Sequence, residues 1–267
     1  WNNTTAVWVV ETIPGTFASP LSVSVNPTET GSSGKETCWV GGSTYVRRIR
    51  DTGSSTWAYD NVNSTFSNPR SVCVDTVETI GTRDTCWVAD TDGNRVRKVY
   101  WNTTNSRYDV YNLTMGTGSG PYSVSVNTHE IINGRSVCWV ADSGTNKNNG
   151  NRIRKLRSLA SGAIDSSYLE VITFSNPYSV SVDSVTDNCW VTDRGTNNRI
   201  SRVSSTGGNR VNFIGFSSPQ SVAAVSSEGS CWVADTNNNQ VVKLNAEGNE
   251  EFRISGFTGP LSVAASP

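Results

Sequence analysis

The sequence predicts an all-β protein built from a repeated unit of four short strands. Three observations carry this reading. The tetrapeptide Pro-x-Ser-Val occurs six times, starting at Pro20, Pro69, Pro121, Pro177, Pro219 and Pro260, at intervals of 49, 52, 56, 42 and 41 residues. The tripeptide Cys-Trp-Val occurs five times, starting at Cys38, Cys86, Cys138, Cys189 and Cys231. A polar turn word follows it, as Asp-Thr-Asp-Gly-Asn-Arg-Val at residues 90–96 and Asp-Thr-Asn-Asn-Asn-Gln-Val at residues 235–241, with variants from Asp142 and Asp193. The first unit departs from this word, with Gly41 and Gly42 in its place.

Each word has a structural reason. Ser-Val-Ser-Val alternates small polar and β-branched residues, the period-2 pattern of a half-buried strand, here called a. Cys-Trp-Val-Ala is short and apolar and forms strand b. Asn-Arg-Val-Arg-Lys-Val forms strand c. A weaker strand d precedes each proline, as at residues 210–214. The Gly, Asn and Asp clusters between them suit turns, because these residues tolerate positive φ or bond their own backbone. No segment keeps a 3.6-residue period. Four short strands repeated every 41–56 residues are the signature of β-propeller blades, a through d running from the axis outward.

Residues 219–257, PQSVAAVSSEGSCWVADTNNNQVVKLNAEGNEEFRISGF, resemble the NHL-repeat β-propellers, which order an inner strand, a Val-x-Asp word and an Asn-Arg-Val strand in the same way. The resemblance extends over the chain as five copies and two partial ones. It implies one propeller domain over residues 1–267, with blades near 20–68, 69–120, 121–176, 177–218 and 219–259. A partial sixth blade remains, made of residues 1–19, a strand d (residues 1–20 align with 101–121), and 260–267, a strand a. Strands b and c of that blade are missing. Three arrangements fit: terminal a pairs with terminal d, the chain is a segment of a longer repeat protein, or a neighbouring subunit supplies the strands. The absence of an initiating Met and of a signal peptide fits a mature or trimmed chain.

Composition bounds the function. Net charge is −1, from 22 basic and 23 acidic side chains, and charged residues are 17% of the chain. This disfavours a general nucleic-acid binder. No apolar run reaches the length of a membrane-spanning helix. Nine Trp, eight Tyr and seven Phe supply a core, unlike a disordered chain.

The cysteines read as packing residues. Cys38, Cys86, Cys138, Cys189 and Cys231 share one place on successive strands b, too far apart around a ring for disulfides. Side chains alternate along a strand, so each Cys faces one way and its neighbour (Trp39, Trp87, Trp139, Trp190, Trp232) the other. The Trp of one blade then meets the Cys of the next. Cys73 is the exception, on a strand a; a bond to Cys86 is disfavoured, and one to Cys38 or Cys138 stays open.

Candidate chemistry is sparse. Asp90, Asp142, Asp193 and Asp235 read as acceptors for backbone N–H groups of the b–c turn; a carboxylate ring on one face is the functional alternative. Asp90 to Asn94 resembles the start of a calcium loop, but position 12 is Trp101 rather than Glu. Arg47, Arg48, Arg50, Arg95, Arg97, Lys98, Arg152, Arg154, Lys155, Arg157, Arg199 and Arg202 form a band on strands c. It reads as a surface with charged heads in water, RNA binding of the kind known for some NHL propellers being the alternative. His129, the single histidine, falls in a long a–b loop at residues 127–134. Propeller lyases of the family use several His around a metal, which this chain lacks. Five asparagines, Asn2, Asn3, Asn63, Asn102 and Asn112, stand in N-glycosylation sequons.

The expected function is therefore non-catalytic, without a cofactor: an extracellular or cell-surface structural, assembly or adhesion module, with a filament or tandem array as its sharper form. Expected partners are proteins, chiefly further copies joined through terminal strands or variable loops (127–134 and 143–151), and covalent glycans. The alternatives are a ligand- or glycan-binding propeller, and a propeller lyase or hydrolase. An axial site would need non-repeating polar residues at the channel mouth, and the inner strands read as nearly uniform.

Overall fold

A computed structural model describes residues 12–53, 56–116, 118–144, 151–165 and 170–265. They form five four-stranded antiparallel sheets, each ordered a-b-c-d in chain sequence. The first holds β1 (Pro20–Thr30), β2 (Glu36–Gly42), β3 (Val46–Gly53) and β4 (Thr56–Asn61). The second holds β5 (Pro69–Ile80), β6 (Arg83–Asp90), β7 (Arg95–Asn102) and β8 (Arg107–Thr114). The third holds β9 (Pro121–Ile132), β10 (Arg135–Asp142), β11 (Arg152–Arg157) and β12 (Glu170–Thr173). The fourth holds β13 (Pro177–Val182), β14 (Cys189–Asp193), β15 (Arg199–Val203) and β16 (Arg210–Phe213). The fifth holds β17 (Pro219–Val225), β18 (Ser230–Asp235), β19 (Gln240–Leu244) and β20 (Glu250–Ser255). Consecutive inner strands β1, β5, β9, β13 and β17 lie side by side. This is a β-propeller.

Blades stack through the Cys-Trp-Val word. Trp39 packs in one cluster with Val72, Val74, Cys86 and Val88 of the second blade. Trp87 does the same with Cys138 and Val140, Trp139 with Cys189 and Val191, and Trp190 with Cys231 and Val233. Strand alternation is the cause: Trp leaves one face of its blade as Cys leaves the other. All six cysteines are free thiols. Burial raises the pKa of Cys86, Cys138, Cys189 and Cys231, which suits inert packing groups.

A second stitch joins the inner strands. The serines of strand a accept backbone N–H groups from the next blade. Ser22 and Ser24 accept from Val72 and Val74 at 3.1 Å. Ser71 accepts from Val124 at 3.2 Å. Ser123 and Ser125 accept from Val180 and Val182 at 3.2 and 3.0 Å. Ser179 and Ser181 accept from Val222 and Ala224 at 3.3 and 2.9 Å. Cys73 stands where a serine would, and its Sγ accepts the Val126 N–H at 3.4 Å. This explains the odd cysteine: it is a ladder member with a sulfur acceptor, and burial pushes its thiol up to about 11.

The segment 127–134 is not a loop. Strand β9 runs to Ile132, so the a–b hairpin is extended and carries a bulge where Ser136 pairs Ile131 but Val137 pairs Asn127. Asn127 stabilises that bulge by accepting the N–H groups of His129 and Glu130. Asn26, Asp75 and Asp183 hold the corresponding turns in their own blades. Among the described residues no helix is long and apolar enough to cross a membrane.

Candidate functional site

The repeated aspartates sit at the end of strand b, fully buried. Their partners differ from the sequence expectation. Asp90 accepts the N–H of Ser67 at 2.6 Å, Asp142 that of Gly120 at 2.9 Å, Asp193 that of Asn176 at 2.7 Å and Asp235 that of Ser217 at 2.7 Å. These donors lie in the connection entering strand a of the same blade, not in the b–c turn. The second oxygen meets strand c. Arg97 lies 2.7 Å from Asp90, Arg154 2.7 Å from Asp142 and Arg199 3.0 Å from Asp193. In the fifth blade Gln240 donates instead, at 2.7 Å. Each aspartate thus clips the start of strands a and c to the end of b, and no carboxylate is left to form a ring.

The basic band is also corrected. Arg48, Arg97, Lys98, Arg154 and Lys155 are buried rather than splayed into water. Arg97 and Arg154 lie opposite Val88 and Val140 and are buried against Asp90 and Asp142; the register explains the others. Arg48, Lys98, Lys155, Arg202 and Lys243 are the cross-strand partners of Trp39, Trp87, Trp139, Trp190 and Trp232, so they share the face that the next blade covers. Lys98 and Lys155 lie 5.5 and 5.4 Å from the centres of their tryptophan rings. Lys98 meets Glu78 and donates to Ser158 at 2.7 Å; burial lowers its pKa. Arg48 pairs with Glu29 at 2.6 Å and Asp60 at 3.0 Å. Arg47, Arg50, Arg95, Arg152, Arg157 and Arg199 are less enclosed. A cavity of about 680 Å³ beside Glu29, Arg48, Arg50, Asp51, Asp60 and Arg83 is walled by these paired charges.

The remaining candidates scatter. His129 is exposed, with Nδ1 3.0 Å from Asp187 of the next blade. Asn63 and Asn112 are exposed. Asn102 donates to Asp109 at 2.7 Å and accepts the Asn105 N–H at 3.2 Å, which occupies its amide. Asn2, Asn3 and most of the 143–151 loop lie outside the described residues.

Two places do gather unused chemistry. The first is the position of the sixth blade. Val23 and Val25 of β1 are 64% and 53% exposed, whereas the equivalent Val72 and Val74 are 5% and 7% exposed. Cys38 is half-buried where the other strand-b cysteines are fully buried. At the far end Trp232 is half-buried, whereas Trp39, Trp87, Trp139 and Trp190 are sealed. The chain's last described segment docks beside β17, where the Val263 N–H donates to Ser221 at 3.3 Å. The strand-d reading of residues 1–19 falls largely outside the described residues.

The second is the axial mouth. In every blade the pairing of a with b slips by one residue between the proline and the serine of Pro-x-Ser-Val. The x residue is the extra residue of a β-bulge, and a bulge redirects its side chain. These positions do not repeat: Leu21, Arg70, Tyr122, Tyr178 and Gln220 line one cavity of about 780 Å³, with Leu261 of the C-terminal segment. Sequence reasoning missed them because the uniform Ser-Val-Ser-Val drew attention away from x. The signal was present as variation at one fixed place in an otherwise constant word.

Comparison with known proteins agrees on the fold. No family model matches the chain, and no curated protein matches it. Solved structures do. A chain of the nidogen/laminin complex superposes with a TM-score of 0.63 at 11% identity, over 92% of this chain and 84% of its own. The hydrazine synthase of Kuenenia stuttgartiensis gives 0.67 at 13% identity, over 93% and 78%. The virginiamycin B lyase of Staphylococcus aureus gives 0.61 at 18% identity, over 94% and 76%. At such identities the likeness is one of fold. These neighbours are β-propellers, and they include both a binding assembly and enzymes.

Proposed function

We propose that this chain forms one NHL-type propeller domain that acts as a non-catalytic, extracellular assembly module, adding copies head to tail through the open sixth-blade position. The observation that carries the reading is the pair of unsealed blade faces. Each internal blade contact sets a Trp on the leading face against Cys and Val on the following face. The half-buried Trp232 face, whose inner edge the C-terminal segment covers through Val263, and the exposed Cys38, Val23 and Val25 face are the outer halves of that same contact. A second copy therefore carries the surface that each end lacks. Joining the Trp232 face of one copy to the Val23 face of another is a heterologous contact, which continues into a row rather than closing as a dimer. The exposed sequon residues Asn63 and Asn112 lie off both faces and suit N-linked sugar in a secreted chain.

The test uses two variants of the 267-residue chain, Val25→Asp and Trp232→Arg, followed by mass photometry and particle imaging over a concentration series. Wild-type protein is expected to form rows whose length grows with concentration. Each variant alone stays monomeric, because one of its two faces is charged. Mixed, the two variants pair their intact faces and stop at a one-to-one dimer. Wild-type protein that remains monomeric at high concentration, or variants that assemble like it, would overturn the proposal. Closure within a single chain would give the first of those results.

A further inference from the structure

We infer that the axial mouth is a binding site for a small organic anion, with Arg70 holding the acidic group and Tyr122 and Tyr178 the apolar body. This site shares Val23 with one assembly face, but it is argued from Arg70 and the two tyrosines and does not rest on assembly.

Arg70 is unlike most arginines of the chain. Arg48, Arg95, Arg97, Arg154, Arg157 and Arg199 each contact a carboxylate. Arg70 is half-buried and has no carboxylate partner among the described residues. Its guanidinium lies 4.6 Å from the Tyr122 ring centre and reaches the Tyr178 hydroxyl only at 3.5 Å. Its Nε is buried without an acceptor. A buried donor costs free energy unless an acceptor meets it, and a cationic donor is met most strongly by an anion. The neighbouring Arg194 stacks on Tyr178 at 4.1 Å, which adds a second positive charge on this rim.

The ring of serines below Arg70 points the same way. Ser22, Ser71, Ser123, Ser179 and Ser221 all line the cavity. Each Oγ accepts an N–H from the following inner strand, of Val72, Val124, Val180, Val222 and Val263 in turn. A hydroxyl that accepts in this way still has its own proton to donate. Five serine hydroxyls thus line one cavity together with a guanidinium that has no carboxylate partner, and among the described residues no Asp or Glu lines it. A donor-rich cavity of that kind recognises anionic oxygens. Tyr122 and Tyr178 lie 4.8 Å apart and tilted by 46°, and Leu21 and Leu261 complete an apolar wall. The ligand class is therefore an anion on a flat or apolar body rather than a bare ion.

The experiment titrates wild-type protein, Arg70→Gln and Arg70→Lys with naphthoate, with neutral naphthalenemethanol and with inorganic sulfate, read by ligand-observed NMR and by thermal unfolding. Wild-type protein is expected to bind naphthoate with a Kd of about a millimolar or better and to melt higher in its presence. Arg70→Gln should weaken naphthoate by about tenfold or more, with little change in its own melting temperature. Arg70→Lys keeps the charge but loses the planar fork, and should fall between the two. Equal naphthoate binding to wild type and Arg70→Gln would overturn the assignment, as would neutral naphthalenemethanol binding as tightly as naphthoate. Absence of naphthoate binding also overturns it. Sulfate binding as tightly as naphthoate would overturn the organic class.

Discussion

Replacing Ser125 with alanine removes the acceptor of the Val182 N–H, a 3.0 Å bond that joins the inner strands of the third and fourth blades. The loss has two bounds. A net intramolecular hydrogen bond contributes about 0.5–1.5 kcal/mol, and a fully buried donor left without a partner costs about 1–3 kcal/mol. Ser125 is half-buried, so water can replace part of what is lost. The expected cost is about 1 kcal/mol, near the join of the two ranges. For a chain of this size that lowers the melting temperature by about 2 °C. Ser71, Ser125 and Ser179 serve three different blade interfaces, so their alanine variants should add, to about 3 kcal/mol together. The assay is equilibrium urea unfolding followed by tryptophan fluorescence, with calorimetry alongside. Ser227→Ala, at an exposed position, is the control. Cysteine already occupies the ladder at position 73, so Ser125→Cys should cost less than Ser125→Ala. If Ser125→Ala cannot be distinguished from the control, or the triple variant costs no more than a single one, the ladder does not hold the blades together and the reasoning fails.

Asp142 accepts from Ser119 at 2.7 Å and Gly120 at 2.9 Å and pairs with buried Arg154. Asp142→Ala should therefore cost about 3–5 kcal/mol in denaturant unfolding, because it removes the carboxylate from a buried ion pair; a loss below 1 kcal/mol would refute this. Native-state alkylation at pH 8, read by mass spectrometry, should modify the half-buried Cys38 first. Cys86, Cys138, Cys189 and Cys231 should react only on unfolding, since burial both covers them and raises their pKa; equal rates would contradict the packing. The hydrogen bonds of Ser33, followed by those of Gly53, hold the Asp51 carboxyl below its ordinary range. A lowered folded-state pKa stabilises above the unfolded value, near 4, and that contribution fades as pH falls through the folded value. Asp51→Asn should thus destabilise at pH 7 and converge on wild type in acid; a gap that persists below pH 3 would count against it.

The blade repeat was legible because its cause is local. Strand propensity, side-chain alternation and turn residues act over a few positions, and Ser-Val-Ser-Val and Cys-Trp-Val state them directly. The alternation along Cys-Trp-Val also revealed that Trp and Cys of successive blades meet, since only two faces are available to a strand. Partners across space were not legible. The aspartates at the end of strand b reach the d–a connection, about 20 residues earlier in the chain (Ser67 to Asp90, Gly120 to Asp142), and the linear pattern names no donor there. The strand-c cations looked solvated because charge normally is. Burial of Arg48, Lys98 and Lys155 follows from lying opposite a Trp on the face that the next blade covers, and that of Arg97 and Arg154 from meeting the buried Asp90 and Asp142; both require knowing how blades stack.

The sequence by itself determined the number of complete blades and the order of strands within each, because a repeat writes its period into the chain. Tertiary structure alone decided where the exceptions fall. It turned Cys73 from an unpaired cysteine into a sulfur acceptor of the inner ladder. It gathered Leu21, Arg70, Tyr122, Tyr178 and Gln220 from five blades into one cavity, because a bulge at one fixed repeat position aims each side chain at the same axis. Closure of strands around that axis brings residues some fifty positions apart into contact, and nothing in a linear pattern encodes the axis itself.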